Sequence, residues 1–130
     1  MRNALMPFAA RAALSATWLY QGLVLKVFGE TARHTQIVGA VVPNAALART
    51  LTISLGLLEA GLGVWVLSKF APRACAAVQT ALLLAMNAGG LLFARDLIPD
   101  PTAMLLQNFA FLVLAWWLVA EGETQHAYAR

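Results

Sequence analysis

Charge is scarce in this chain. Only 12% of its 130 residues are charged, nine Lys or Arg against six Asp or Glu, where a soluble domain carries about 25%. A surface that must face water on all sides cannot be built from so few ions. The net charge of +3 is what a few basic residues anchoring helix ends supply. It is not gathered into the basic stripe that a nucleic-acid-binding face needs. Cysteine occurs once, at Cys75, which excludes an internal disulfide and a Cys-based zinc site. The two histidines, His34 and His126, are too few and too far apart for a metal site, and they fall on opposite sides of the expected topology, which discards haem. No phosphate-cradling glycine loop, Ser-His-Asp set or metal-ligand spacing occurs.

What the chain has instead is apolar length. Hydrophobic residues make up 61%, against about 45–50% in a typical soluble domain, and the mean hydropathy is +0.71. Four runs stand out, at residues 9–28, 47–67, 74–94 and 103–120, each 18 to 21 residues long. A bilayer core about 30 Å thick takes about 20 helical residues, so each run can span. The last two runs carry no charge and no polar stripe at a helical period. The expectation is one domain over residues 1–130, all-α, a membrane four-helix bundle. Arg11 interrupts what would be the core of a cleaved leader, so the first run reads as a retained helix.

The connections are marked by Gly29-Glu30, Pro43-Asn44, the basic turn Lys69-Phe-Ala-Pro-Arg73, and the turn holding Arg95, Asp96, Pro99, Asp100 and Pro101. Residues 36–42 read as a short interfacial segment, and the polar tail from Glu121 as frayed. The basic residues place Arg2, Arg11, Lys69, Arg73 and Arg130 on one side and Lys26, Arg33, Arg49 and Arg95 on the other. The tight basic turn weighs most, which puts both termini in the cytoplasm. Trp65, Trp116 and Trp117 then fall at the inner interface, as membrane tryptophans prefer.

Polar residues inside such helices are costly unless they face protein or water. Tyr20, Gln21, Lys26, Glu59, Asn87 and Asn108 are therefore the candidate site, and they share the outer half of the bundle; Gln79 lies nearer the inner face. Glu59 is either a proton-exchanging or ligand-gripping acid, or a neutral acid bonded inside the bundle. Lys26 either snorkels to the interface or is buried. Asn87 and Asn108 are residues more often used as interhelical glue than as ligands. Counted from the ends of the runs, Lys26 and Glu59 differ in depth by roughly 15 Å, so no direct ion pair is expected and Glu59 is expected to bond Tyr20 or Gln21. The glycines Gly56, Gly61 and Gly63 around Glu59 allow close helix approach.

The stretch Trp18-Leu-Tyr-Gln-Gly-Leu-Val-Leu-Lys26 resembles the first-helix signature of the DoxX-like membrane proteins. Glu30 and His34, Gly56-Leu-Leu-Glu59 with Gly63, Gln79, and Pro99 through Asn108 also fit, so the resemblance covers roughly residues 11–120. Leu25 departs from it, since the family pattern has proline before the lysine, and this leaves the helix end or kink there open. Asn87 is more polar than the pattern. The resemblance implies a small four-helix protein of the bacterial inner membrane. Some relatives are subunits of quinone-linked sulfur oxidation, and others partner redox or thiol-homeostasis proteins. Three readings are open: a redox-associated subunit binding a quinone or other apolar ligand, a structural anchor or partner with no ligand, and a small proton-coupled exporter. The lipid bilayer is the common partner; a redox protein or a second copy is a further one. In small multidrug exporters the essential acid lies in the first helix, whereas here it lies in the second.

Overall fold

The computed structural model describes residues 4–29 and 32–129, and helices make up nearly all of it. The first helix, α1 (Leu5–Leu19), runs directly into an eight-residue π-helical segment, Tyr20–Val27. A short α2 (Arg33–Val41) comes next, then α3 (Ala45–Ser68), α4 (Pro72–Phe93), a 3-10 turn at Arg95–Leu97, and α5 (Pro101–Tyr128). Expectations that rest on Arg2, Glu30 or Arg130 lie outside the described residues.

The local chemistry explains most of the boundaries. Asn44 caps α3 by accepting from the Leu47 amide at 3.0 Å, and Asp100 caps α5 by accepting from the Ala103 amide at 2.9 Å. Pro72 and Pro101 each begin a helix, where a missing amide proton costs nothing. Lys69 ends α3 in the left-handed region at φ 61°. Ser68 Oγ donates to the Trp65 carbonyl and accepts from the Phe70 amide, and the Trp65 indole donates to the Phe70 carbonyl. Together these bonds hold the turn between α3 and α4.

Three helices, α3, α4 and α5, are long and apolar enough to cross a membrane. Leu5–Val27 is also one unbroken helical rod, but its winding changes at Tyr20. Each helix outruns its apolar run by a few residues at one or both ends. The tail departs furthest from expectation: α5 continues to Tyr128 instead of fraying at Glu121, and Glu123 pairs with Arg73 at the start of α4. The interfacial segment expected at 36–42 is part of a true helix that begins earlier, at Arg33.

The first rod packs antiparallel to α3 through small residues. A Cβ on Gly22 would lie 2.8 Å from the Ala60 amide nitrogen and closer still to the Gly56 carbonyl; one on Gly56 would lie 2.6 Å from the Gly22 carbonyl. Backbone therefore meets backbone at this crossing. Gly63 is likewise tight against Ser15 and Leu19, but nothing lies within 4 Å of Gly61, which takes no part in the contact. Polar bonds lock the register. Ser15 donates to the Gly63 carbonyl at 2.9 Å, buried. Arg11, near the start of the first rod, donates to the Val66 carbonyl near the end of α3 at 2.9 Å. Arg49, near the start of α3, donates to the Lys26 and Val27 carbonyls at the end of the first rod at 2.7 and 3.0 Å. Each rod thus supplies an arginine that satisfies the orphan carbonyls of the other, where a cation also meets the negative end of the helix dipole.

The core forms around Leu14 and Trp18 of α1, Leu62 and Val66 of α3, Cys75 and Leu83 of α4, and Ala115 and Leu118 of α5. Trp18 meets Phe111 edge to face, with centroids 5.5 Å apart. Leu57, Leu58, Val64, Leu84, Leu106, Phe109 and Val113 point outward, the pattern of helices whose solvent is lipid.

Candidate functional site

The widened winding at Tyr20–Val27 is the first element of the site. The Phe28 amide bonds the Leu23 carbonyl five residues back at 2.8 Å. A turn of this kind takes in one more residue than an α-turn and rotates the remainder of the helix by about 100°. The segment Tyr20–Val27 contains no proline, so the irregularity does not depend on a missing amide donor. Arg49 holds its last two carbonyls.

Lys26 is carried inward by this segment, 3% exposed, and Glu59 is 0% exposed. Lys26 Nζ lies 2.8 Å from Glu59 Oε2. This overturns the expectation that depth keeps them apart. A count along the sequence takes the ends of the rods as level, but α3 overhangs the first rod, so that Gly56 stands beside Lys26 and Glu59 beside Gly22. The remaining offset is one helical turn, about 5 Å. Side chains lean toward the N-terminus of their own helix, and in antiparallel rods Lys26 and Glu59 therefore lean toward each other. Among the described residues, Glu59 Oε1 has no hydrogen-bond partner, and the Oε2 contact is ionic in character rather than a well-aligned hydrogen bond. Neither Tyr20 nor Gln21 bonds the acid.

The pair lies in the wall of a cavity of about 690 Å³ between the rods. Gln21, Lys26, Glu59, Asn87 and Asn108 all line it, with Trp18, Leu83, Met86 and Phe111 at its deep end. Asn108 Nδ2 donates to Asn87 Oδ1 at 2.8 Å and ties α5 to α4. Arg33, His34, Ile37 and Val41 of α2 close the cavity at its other end, beside Ile98 and Asp100. His34 is held down to about pKa 4, first by burial and then by Lys26 and Arg33, so its imidazole is neutral at neutral pH.

Tyr20 is the one candidate that the cavity excludes. It is 54% exposed and faces outward. Gln79 lies deeper, where its Oε1 accepts from the Trp18 indole at 2.8 Å, and this bond fixes the ring that closes the cavity. Sequence reasoning weighs His34 but misses Arg33, Ile37 and Val41 of the α2 roof, and it misses Arg49, which holds the end of the π-helical segment. Arg49 carries a visible signal, a cation just inside an apolar run, but such a cation reads first as an interfacial residue.

These features define a class: an all-helical membrane protein with a lipid-facing exterior and a half-open cavity between its helices, with a buried ion pair in the wall. The DoxX-like family profile matches residues 15–116, and the chain belongs to that family. No curated protein and no solved structure matches it.

Proposed function

We propose that the chain is a four-span bundle of the bacterial inner membrane, with Leu5–Val27 as the fourth span beside α3, α4 and α5 and both termini in the cytoplasm. Within it, the cavity binds an apolar ligand with a polar head, a quinone or a molecule of that shape, and the protein serves as the membrane subunit of a redox system. The observation that carries this reading is the cavity itself. Its volume, about 690 Å³, falls in the range of roughly 300–1,000 Å³ usual for small-molecule sites. Its walls are mostly apolar, and its few polar groups converge from all of the rods. Lys26 offers donors to a ring carbonyl, the asparagine pair offers both donor and acceptor, and Trp18 and Phe111 give flat surfaces for a ring. Electron transfer itself is assigned to a partner protein.

The anchor reading has its own support. The Gly22–Gly56 crossing, the reciprocal arginines and the Trp18–Gln79 bond are all devices of tight packing. Purification from native membranes with subsequent lipid and quinone extraction separates the two. A ligand site retains about one apolar molecule per chain, enriched over its share of the membrane; an anchor carries bulk lipid in bulk proportions.

A further inference from the structure

Most sides of the cavity are shut. The π-helical segment and α3 meet backbone to backbone at Gly22 and Gly56. Asn108 ties α5 to α4 at 2.8 Å. α3 touches α4, and α2 packs on both, so the gap between them is bridged. The side between the first rod and α5 is different. α1 packs on α5, and near its end Trp18 meets Phe111 edge to face. Beyond that contact the rod continues as Tyr20–Val27, whose neighbours are α3 and, to a lesser extent, α2, while α5 packs on α1 and α4. The first rod and α5 therefore diverge. Gln21 and Leu25 of the rod, and Met104 and Gln107 of α5, line the cavity along the divergence. From Phe111 to Met104 α5 covers about 10 Å.

The polar residues at this opening are themselves unexplained by packing. Neither Gln21 nor Gln107 has a side-chain hydrogen-bond partner among the described residues. Gln107 is exposed on a helix long and apolar enough to span, among the exposed Leu105, Leu106 and Phe109. An amide at such a place is costly unless something polar meets it, and the polar head of a ligand entering the cavity does so. We infer that the cavity opens sideways into the bilayer through a slot between the π-helical segment and the first half of α5, and that its ligand enters there and leaves its tail in the slot, with the end among lipid chains. This deepens the proposed function and rests on it: the class is a molecule dissolved in the membrane, with a polar head and a tail longer than the cavity needs to hold.

The test uses decyl-benzoquinone and the same molecule with a triphenylmethyl group on the end of its tail. Binding to the full-length protein in lipid nanodiscs is measured by calorimetry and corrected for uptake by protein-free discs. The capped probe should bind about as tightly as the plain one, because the tail end lies outside. Gln107→Trp puts a bulky ring on the edge of the slot at an exposed position and should weaken both probes at least tenfold. Phe109→Trp, at an outward position of the same helix, should leave both unchanged. The comparison of capped with plain probe on the wild type needs no variant, so it decides even where Gln107→Trp unfolds. If the wild type binds the plain probe but binds the capped one at least tenfold more weakly, the tail is enclosed, and the slot inference is wrong while the ligand-site reading stands. The same follows if folded Gln107→Trp binds as the wild type does, or if Phe109→Trp weakens binding equally. Disulfide linkage of two chains through Gln107→Cys would place a second copy on the slot and overturn the inference. If neither probe binds, both the inference and the ligand-site reading are wrong.

Discussion

Replacing Gly22 by alanine adds a single methyl group, and the geometry of the crossing sets its cost. The new Cβ would stand 2.8 Å from the Ala60 amide nitrogen and nearer still to the Gly56 carbonyl, against 3.4 Å or more in ordinary contact. Both obstacles are backbone and cannot rotate away. The first rod and α3 must therefore move apart, and with them the Ser15–Gly63 bond and the Lys26–Glu59 contact. Overpacking a tight interior costs about 1–3 kcal/mol, occasionally more, and the lost bond adds about 1 kcal/mol. The expected loss is about 2–4 kcal/mol. Gly61→Ala is the matched control one turn away on α3: its added methyl meets nothing within 4 Å, and helix propensity favours alanine by up to about 1 kcal/mol. Unfolding in mixed micelles by increasing SDS fraction, read by tryptophan fluorescence, measures both. Gly22→Ala should unfold at clearly lower SDS fraction than wild type, and Gly61→Ala at an equal or higher one. Equal stability of the two variants would refute the backbone-to-backbone crossing.

Three further outcomes are expected. Lys26→Met and Glu59→Met should each destabilise by about 3–5 kcal/mol in the same assay, because each leaves a buried charge alone, while the double variant should lie near wild type; additive single losses would mean that the two do not pair. Arg49→Ala should expose the Lys26 and Val27 carbonyls and cost about 1.5–3 kcal/mol per lost charged bond, with faster amide exchange at Val24–Phe28; unchanged exchange there would show that the π-helical segment stands without the arginine. His34, held down to about pKa 4, should keep its neutral NMR shifts through pH 5. Because its folded pKa lies below the unfolded 6.5, its contribution to stability is full above 6.5 and is lost as pH falls from there toward 4; a titration midpoint near 6.5 would place the ring in water.

Apolar length and missing charge are enough to read helices and a membrane, because a bilayer imposes both at once. The motif from Trp18 to Lys26 points to the family without any coordinate. The stagger between rods is invisible in the sequence, since it is set by Gly22 meeting Gly56 and by two arginines reaching across, and no rule of spacing within one helix encodes a contact between two. That stagger turns an expected separation of Lys26 from Glu59 into a contact. The change to π winding is hidden for a related reason. Regular α winding would set Gln21 and Lys26 about 140° apart, whereas turns that close over five residues bring both to the cavity and leave Tyr20 outside. Gly61 looks equivalent to Gly56 and Gly63, but it sits on the opposite side of α3.

The claim that the cavity between the helices holds a ligand is tested most directly by mapping where a photoreactive, tail-matched quinone analogue attaches in native membranes. Peptide mass spectrometry should find the label on residues lining the cavity, among them Met86, Met104 and Phe111. Gly89 also lines the cavity and has open space at its Cβ, so Gly89→Trp should fill the space and abolish that labelling while leaving the fold intact. Label confined to outward residues such as Leu57, Phe109 and Val113, and unchanged by Gly89→Trp, would contradict the account.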